Sequence, residues 1–100
     1  MVEAPPRVRA IVTAATRPAL PPHIKLLHDA GRGKWLVLAP ERIFEPDEVA
    51  VAVLRLCDGA RSVDDIAGEL AKEYNAAKQE IIADIVAMLQ DLADKGVVTA

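Results

Sequence analysis

At Pro46 the apolar residues of this chain change their spacing, and that switch limits what it can fold into. Before it, from His23 to Glu45, apolar side chains come in short runs separated by turn residues. After it they recur at helical intervals almost to the end. Strands gathered ahead of the switch and helices behind it read as an α+β domain. A chain of 100 residues has room for one such domain with a modest core.

The segment His23–Ala30 alternates loosely, with Ile24 and Leu26 on one face and Lys25, Leu27 and Asp29 on the other. Gly31-Arg32-Gly33 interrupts it, and Trp35-Leu36-Val37-Leu38-Ala39 resumes. Two runs joined by a glycine-containing loop read as a β-hairpin. The second run is apolar on both faces and is expected to be the covered central strand. Pro40-Glu41 turns the chain, and Arg42-Ile43-Phe44-Glu45 is short enough to be a third, edge strand.

Pro46 suits the first turn of a helix, with Asp47 and Glu48 at its positive end. That helix is expected to run to about Cys57, where Asp58-Gly59 ends it. Ser62 is a good N-cap, followed by Asp64 and Asp65. Val63, Ile66, Ala67, Leu70 and Tyr74 then keep a helical stripe. Asn75-Ala76-Ala77 breaks it, a third helix spans about Lys78 to Lys95, and Gly96 stops that one. Val97-Val98 reads as a last extended piece. Five of the seven prolines fall in the first twenty-two residues. Residues 1–16 therefore read as a flexible tail or linker ahead of a domain over 17–100. A targeting peptide fits less well, because the apolar stretch Ala10–Ala15 is short and broken by Thr13.

Composition leaves little for catalysis. One cysteine excludes an internal disulfide framework, and with two histidines it cannot complete a zinc site without carboxylates. His23 and His28 would face opposite sides of a strand. Cys57 has no base beside it in sequence and reads as a buried, inert thiol. Gly31-Arg32-Gly33 lacks phosphate-loop spacing. No catalytic residue, metal ligand or cofactor is expected. No apolar run reaches the eighteen residues of a membrane span.

A small sheet beside a helix, a turn and a longer helix looks winged-helix-like, which raises nucleic-acid binding as an alternative function. Charge argues against it. Residues 1–35 sum to +4 but residues 36–100 to −7, and the third helix carries two lysines against four carboxylates. A phosphate backbone repels such a helix. The apolar pattern suggests something else. Ile81, Ile82, Ile85, Val86, Met88, Leu89 and Leu92 sweep roughly 160° of the third helix, more than one packed face needs. Val49-Ala50-Val51-Ala52-Val53-Leu54 leaves the first helix no polar side at all. Two readings stand. These residues fill a small core, or some of them wall a groove between the edge strand and the third helix that accepts an apolar, extended peptide by strand addition.

The order of motifs resembles the PqqD family of pyrroloquinoline quinone (PQQ) biosynthesis. The resemblance rests on Arg17-Pro18-x-Leu20, Lys34–Arg42 with its Ala39-Pro40-Glu41-Arg42 end, Cys57-Asp58-Gly59 with Ser62-Val63, and Tyr74. Ile81-x-x-Asp84-Ile85-x-x-Met88-Leu89-x-x-Leu92, closed by Gly96, completes it. It covers about residues 17–98. The family resemblance implies a three-strand, three-helix recognition element of ribosomally made, modified peptides, without enzyme activity or a cofactor of its own. It implies binding of the precursor peptide PqqA and its delivery, in the cytoplasm, to the radical S-adenosylmethionine enzyme PqqE, which joins a Glu and a Tyr of that peptide. Related recognition elements take the peptide along strand 3 and the third helix. That transfers to Arg42, Ile43, Phe44, Ile81, Asp84, Ile85, Met88, Leu89 and Leu92. Some members are fused behind PqqC, and a tail over 1–16 would suit such a fusion. No nucleic acid or membrane partner is implied.

Overall fold

The computed structural model describes residues 11–100. Three strands, β1 (Lys25–Asp29), β2 (Lys34–Leu38) and β3 (Ile43–Phe44), form an antiparallel sheet in the order β1-β2-β3. Three helices follow, α1 (Glu48–Leu54), α2 (Val63–Tyr74) and α3 (Lys78–Asp94). The α+β reading, the central β2 and the helix spans agree with the pattern of the sequence, apart from the ends.

The hairpin closes because Asp29 holds its turn. Its Oδ1 accepts from the N–H groups of Gly31 at 3.1 Å and Arg32 at 3.3 Å, and Gly33 takes the positive φ the turn requires. The third strand is shorter than Arg42–Glu45. Arg42 contributes only its carbonyl, which accepts from the Ala39 N–H at 2.9 Å, and Pro46 has no N–H with which to continue the ladder.

Asp47 caps α1 by accepting from the Ala50 N–H at 2.7 Å. The helix stops at Leu54 rather than Cys57. Beyond it the N–H groups of Leu56 and Cys57 bond back three residues, to the Val53 and Leu54 carbonyls, at 3.0 and 3.1 Å. Asp58 then accepts from Ala60 and Arg61, both at 2.9 Å, and Gly59 at φ +80° turns the chain. Ser62 and Asp65 form a reciprocal capping box on α2. At the far end of α3, Val97 N–H bonds the Leu92 carbonyl and Gly96 N–H, at φ +78°, the Ala93 carbonyl. This left-handed stop folds Val97 and Val98 back into the core.

Aliphatic side chains carry that core. Val53, Val63, Ile66, Ala67 and Leu89 are fully buried among Ile24, Val37, Leu70 and Ile85. The expectation of a tail over residues 1–16 falls, for its first ten residues, outside the described part. From Val12 to Thr16, however, the chain is a strap on the domain rather than a solvated linker. Val12 is buried, and its N–H donates to Gln90 Oε1 at 2.9 Å. The Thr16 and Ala14 carbonyls accept from Val63 and Asp64 at 2.8 and 2.9 Å. Those two N–H groups open α2 and have no partner inside the helix, so the strap, which turns at Ala14-Ala15, satisfies them. Farther along, Ala19 and Thr99 exchange backbone hydrogen bonds at 3.3 and 2.8 Å.

Two substitutions test this account by urea unfolding. Leu89→Ala should cost about 2–5 kcal/mol, and Ser62→Ala about 1 kcal/mol. A Leu89→Ala loss below about 1 kcal/mol would place that side chain outside the core.

Candidate functional site

The sheet has two edge strands, β1 and β3, and β3 is the one that leads into α1. The Ala39-to-Arg42 hydrogen bond fixes the phase of the ladder. Bonded and non-bonded pairs alternate in an antiparallel ladder, so the next residue, Ile43, turns its N–H and C=O away from β2. Side chains alternate too. Phe44 points toward the helices with its partner Val37, and Ile43 takes the opposite face, 68% exposed.

Phe44 opens onto a cleft of about 240 Å³ whose far wall is Met88 and Leu92 of α3 and whose floor includes Ala50 and Leu54 of α1. A second cleft of about 200 Å³ lies along the same helix, between Ile81, Asp84, Ile85 and Met88 on one side and Val49 and Tyr74 on the other. Met88 borders both. The wall residues Ile81, Ile85, Met88 and Leu92 are spaced four, three and four apart, which gives one continuous stripe.

The residues expected from the sequence therefore separate into roles. Phe44, Ile81, Met88 and Leu92 are half-buried and line the clefts, and exposed Asp84 stands at the rim. Ile43 offers backbone, and the Arg42 side chain lies exposed beside it. Ile85 touches the second cleft but is 2% exposed, so it serves the core first. Leu89 does not belong to the wall. It is fully buried, because one residue beyond Met88 the helix has rotated by about 100° into the core. Sequence reasoning missed Val49, Ala50 and Leu54 as lining residues. Their signal was the absence of any polar face on α1.

A wider cleft of about 570 Å³ lies between Trp35, Arg55 and Tyr74. Arg55 sits over the Trp35 ring at 5.3 Å, and His28 packs against that ring at 5.0 Å between centroids. Its basic groups are already engaged, Lys34 with Glu45 at 3.8 Å and Arg55 with the indole. Among the described residues, no group of three or more His, Cys, Asp or Glu is placed to hold a metal ion. Cys57 is buried and donates to the Val53 carbonyl at 3.3 Å. Burial, with the Asp58 charge adding to it, pushes its thiol up to about 12. It is no nucleophile at neutral pH. The carboxyls of Asp58 and Asp65 are held below the usual range by the backbone N–H groups they cap, chiefly those of Arg61 and Ser62. These are structural carboxylates.

A strand edge beside an apolar, two-part cleft is an arrangement that can take an extended peptide. The family model described as coenzyme PQQ synthesis protein D (PqqD) matches residues 34–98. This chain belongs to the PqqD family. A "PqqA binding protein" of Rhodopseudomonas palustris (strain BisB5) is 58% identical over 88 residues, 88% of this chain and 86% of the relative. One of the same description from Bradyrhizobium diazoefficiens is 54% identical over 88 residues, 88% of this chain and 85% of that one. The fold matches the PqqD portion of Methylobacterium extorquens PqqCD, a stand-alone recognition element of ribosomally synthesized, modified peptides. That match has a TM-score of 0.78 and 43% identity, over 89% of this chain and 95% of that one. PqqD from Xanthomonas campestris gives 0.57 and 36%, over 82% and 91%. Residues that carry the resemblance to PqqD have local causes here: Cys57-Asp58-Gly59 with Ser62 builds the turn between α1 and α2, and Asp84, Met88 and Leu92 lie along the clefts.

The shifted groups predict a pH profile. Cys57 is raised above its ordinary 9.0, so the stability tied to it is complete below pH 9.0 and declines as pH climbs toward about 12. Asp58 and Asp65 are lowered, so their contribution is complete above the ordinary 3.8 and falls away as pH drops through their folded values. Urea midpoints across pH should show both flanks, and Cys57→Ala should flatten part of the alkaline one. A native thiol that reacts with an aromatic disulfide reagent at pH 8 as fast as the unfolded chain does would contradict its burial.

Proposed function

We propose that this chain is a non-catalytic carrier that binds the precursor peptide PqqA and presents it to PqqE in PQQ biosynthesis. The observation that carries the reading is the open Ile43 edge lying beside the apolar stripe of α3. An extended segment adds to β3 through the Ile43 backbone and drops alternate side chains into the cleft between Phe44, Met88 and Leu92. Magnitudes divide the labour. A hydrogen bond contributes about 0.5–1.5 kcal/mol net, while a buried aliphatic side chain contributes about 1.5–3 kcal/mol. Ordering each peptide residue costs about 1–2 kcal/mol, so the cleft must supply the affinity and the edge sets register.

The names of the relatives support PqqA as the ligand. Delivery to PqqE rests on the family resemblance, as does action in the cytoplasm. Among the described residues no helix is long and apolar enough to cross a membrane. The fused PqqCD of Methylobacterium extorquens makes association with PqqC a natural extension of the same reading. For nucleic acid the surface of α3 is wrong. Lys78 at its start and Lys95 at its C-cap pair with Asp64 and Asp91 at 3.0 and 2.9 Å, and Asp84 stands exposed.

Calorimetric titration with a PqqA peptide tests the groove. Met88→Asp should weaken binding roughly ten- to a hundredfold with the fold intact, the loss of about 1.5–3 kcal/mol of burial. Unchanged affinity would remove α3 from the site. Hydrogen exchange tests the edge independently. Bound peptide should slow the Ile43 amide, and protection confined to β1 would move the binding strand to the other side of the sheet.

A further inference from the structure

The two clefts along α3 have a rim of one sign. Glu45, Asp47 and Asp91 stand around the cleft beside β3 and Asp84 around its neighbour, while among the described residues no lysine or arginine lines either. Three of the four carboxylates already have work. Asp47 caps α1, Asp91 takes Lys95 at 2.9 Å, and Glu45 lies 3.8 Å from Lys34. Asp84 is exposed and has no ion-pair or hydrogen-bond partner among the described residues. It lies between Ile81 and Met88 on the stripe that walls the groove.

We infer that the groove selects a peptide segment carrying a lysine or arginine next to its apolar anchors, with the cation seated at Asp84. This rests on the peptide-binding reading above and adds its charge preference. Such a side chain matches both parts of the surface. Its aliphatic stem lies along Ile81 and Met88, and its head reaches the carboxylate at the water boundary. A segment with aspartate or glutamate at the same place meets like charge, and no cation among the described lining residues offsets it. Electrostatic complementarity of this kind chooses among partners and speeds encounter more than it adds affinity. Asp84 is then a specificity-determining residue.

The test is a double-mutant cycle by titration calorimetry. Wild type and Asp84→Asn are each titrated with a PqqA peptide and with a version whose lysines and arginines are replaced by glutamine, at 50 and 300 mM NaCl. For the unmodified peptide at 50 mM salt, Asp84→Asn should weaken binding roughly two- to fivefold, shrinking at 300 mM. For the glutamine peptide the same substitution should change nothing. Asp84→Asn without effect on the unmodified peptide, or an equal effect on both peptides, overturns the inference and leaves peptide binding standing. A wild-type chain that binds neither peptide overturns the reading of PqqA as ligand and this inference with it.

Discussion

Helix α1 has no polar side, and most of the architecture answers that constraint. Seven residues are too few to be helical alone in water, so the helix exists only where its neighbours bury it. Val53 is fully buried, Val51 and Leu54 nearly so, and Ala50 and Ala52 partly. The cover runs out at its first turn. There Val49 stays half exposed, and Ala50 forms part of a cleft floor. The groove is the place where this fold cannot finish covering its most apolar helix.

Pro46 and Asp47 complete the arrangement from the sheet side. One ends the ladder after two residues and the other starts α1 at once, so the strand edge and the uncovered helix turn are adjacent by chain connectivity. By itself the two-residue β3 offers another copy of this chain little backbone to pair with. Phe44, Met88 and Leu92 turn the same region into a surface that rewards side chains rather than backbone alone.

Much of this was legible in the sequence. The change of period at Pro46, the Ser62 cap and the Gly96 stop fixed strands, helices and order, because each is a local signal with a local cause. A groove between Arg42–Phe44 and the α3 stripe is one of two readings of the apolar pattern, and the family resemblance favours it. Leu89 was misplaced because an arc of roughly 160° holds both a core face and a groove face, and periodicity does not say where one ends. The strap was hidden for another reason. A proline-rich stretch looks like a linker until the unsatisfied N–H groups at the start of α2 are known to lie beside it. Val49 and Ala50 as lining residues likewise depend on packing between elements distant in sequence.

The bridge between Ala19 and Thr99 has a consequence for the order of events when the protein is made. It joins residues 80 apart, and the strap it anchors also supplies carbonyls to the opening of α2. A nascent chain that has emerged only as far as α3 holds a strap whose last partner does not yet exist. The strap can take its α2 and α3 partners earlier, but the Ala19–Thr99 bridge can close only after Thr99 has left the ribosome, so the pairing of greatest sequence separation carries the latest start.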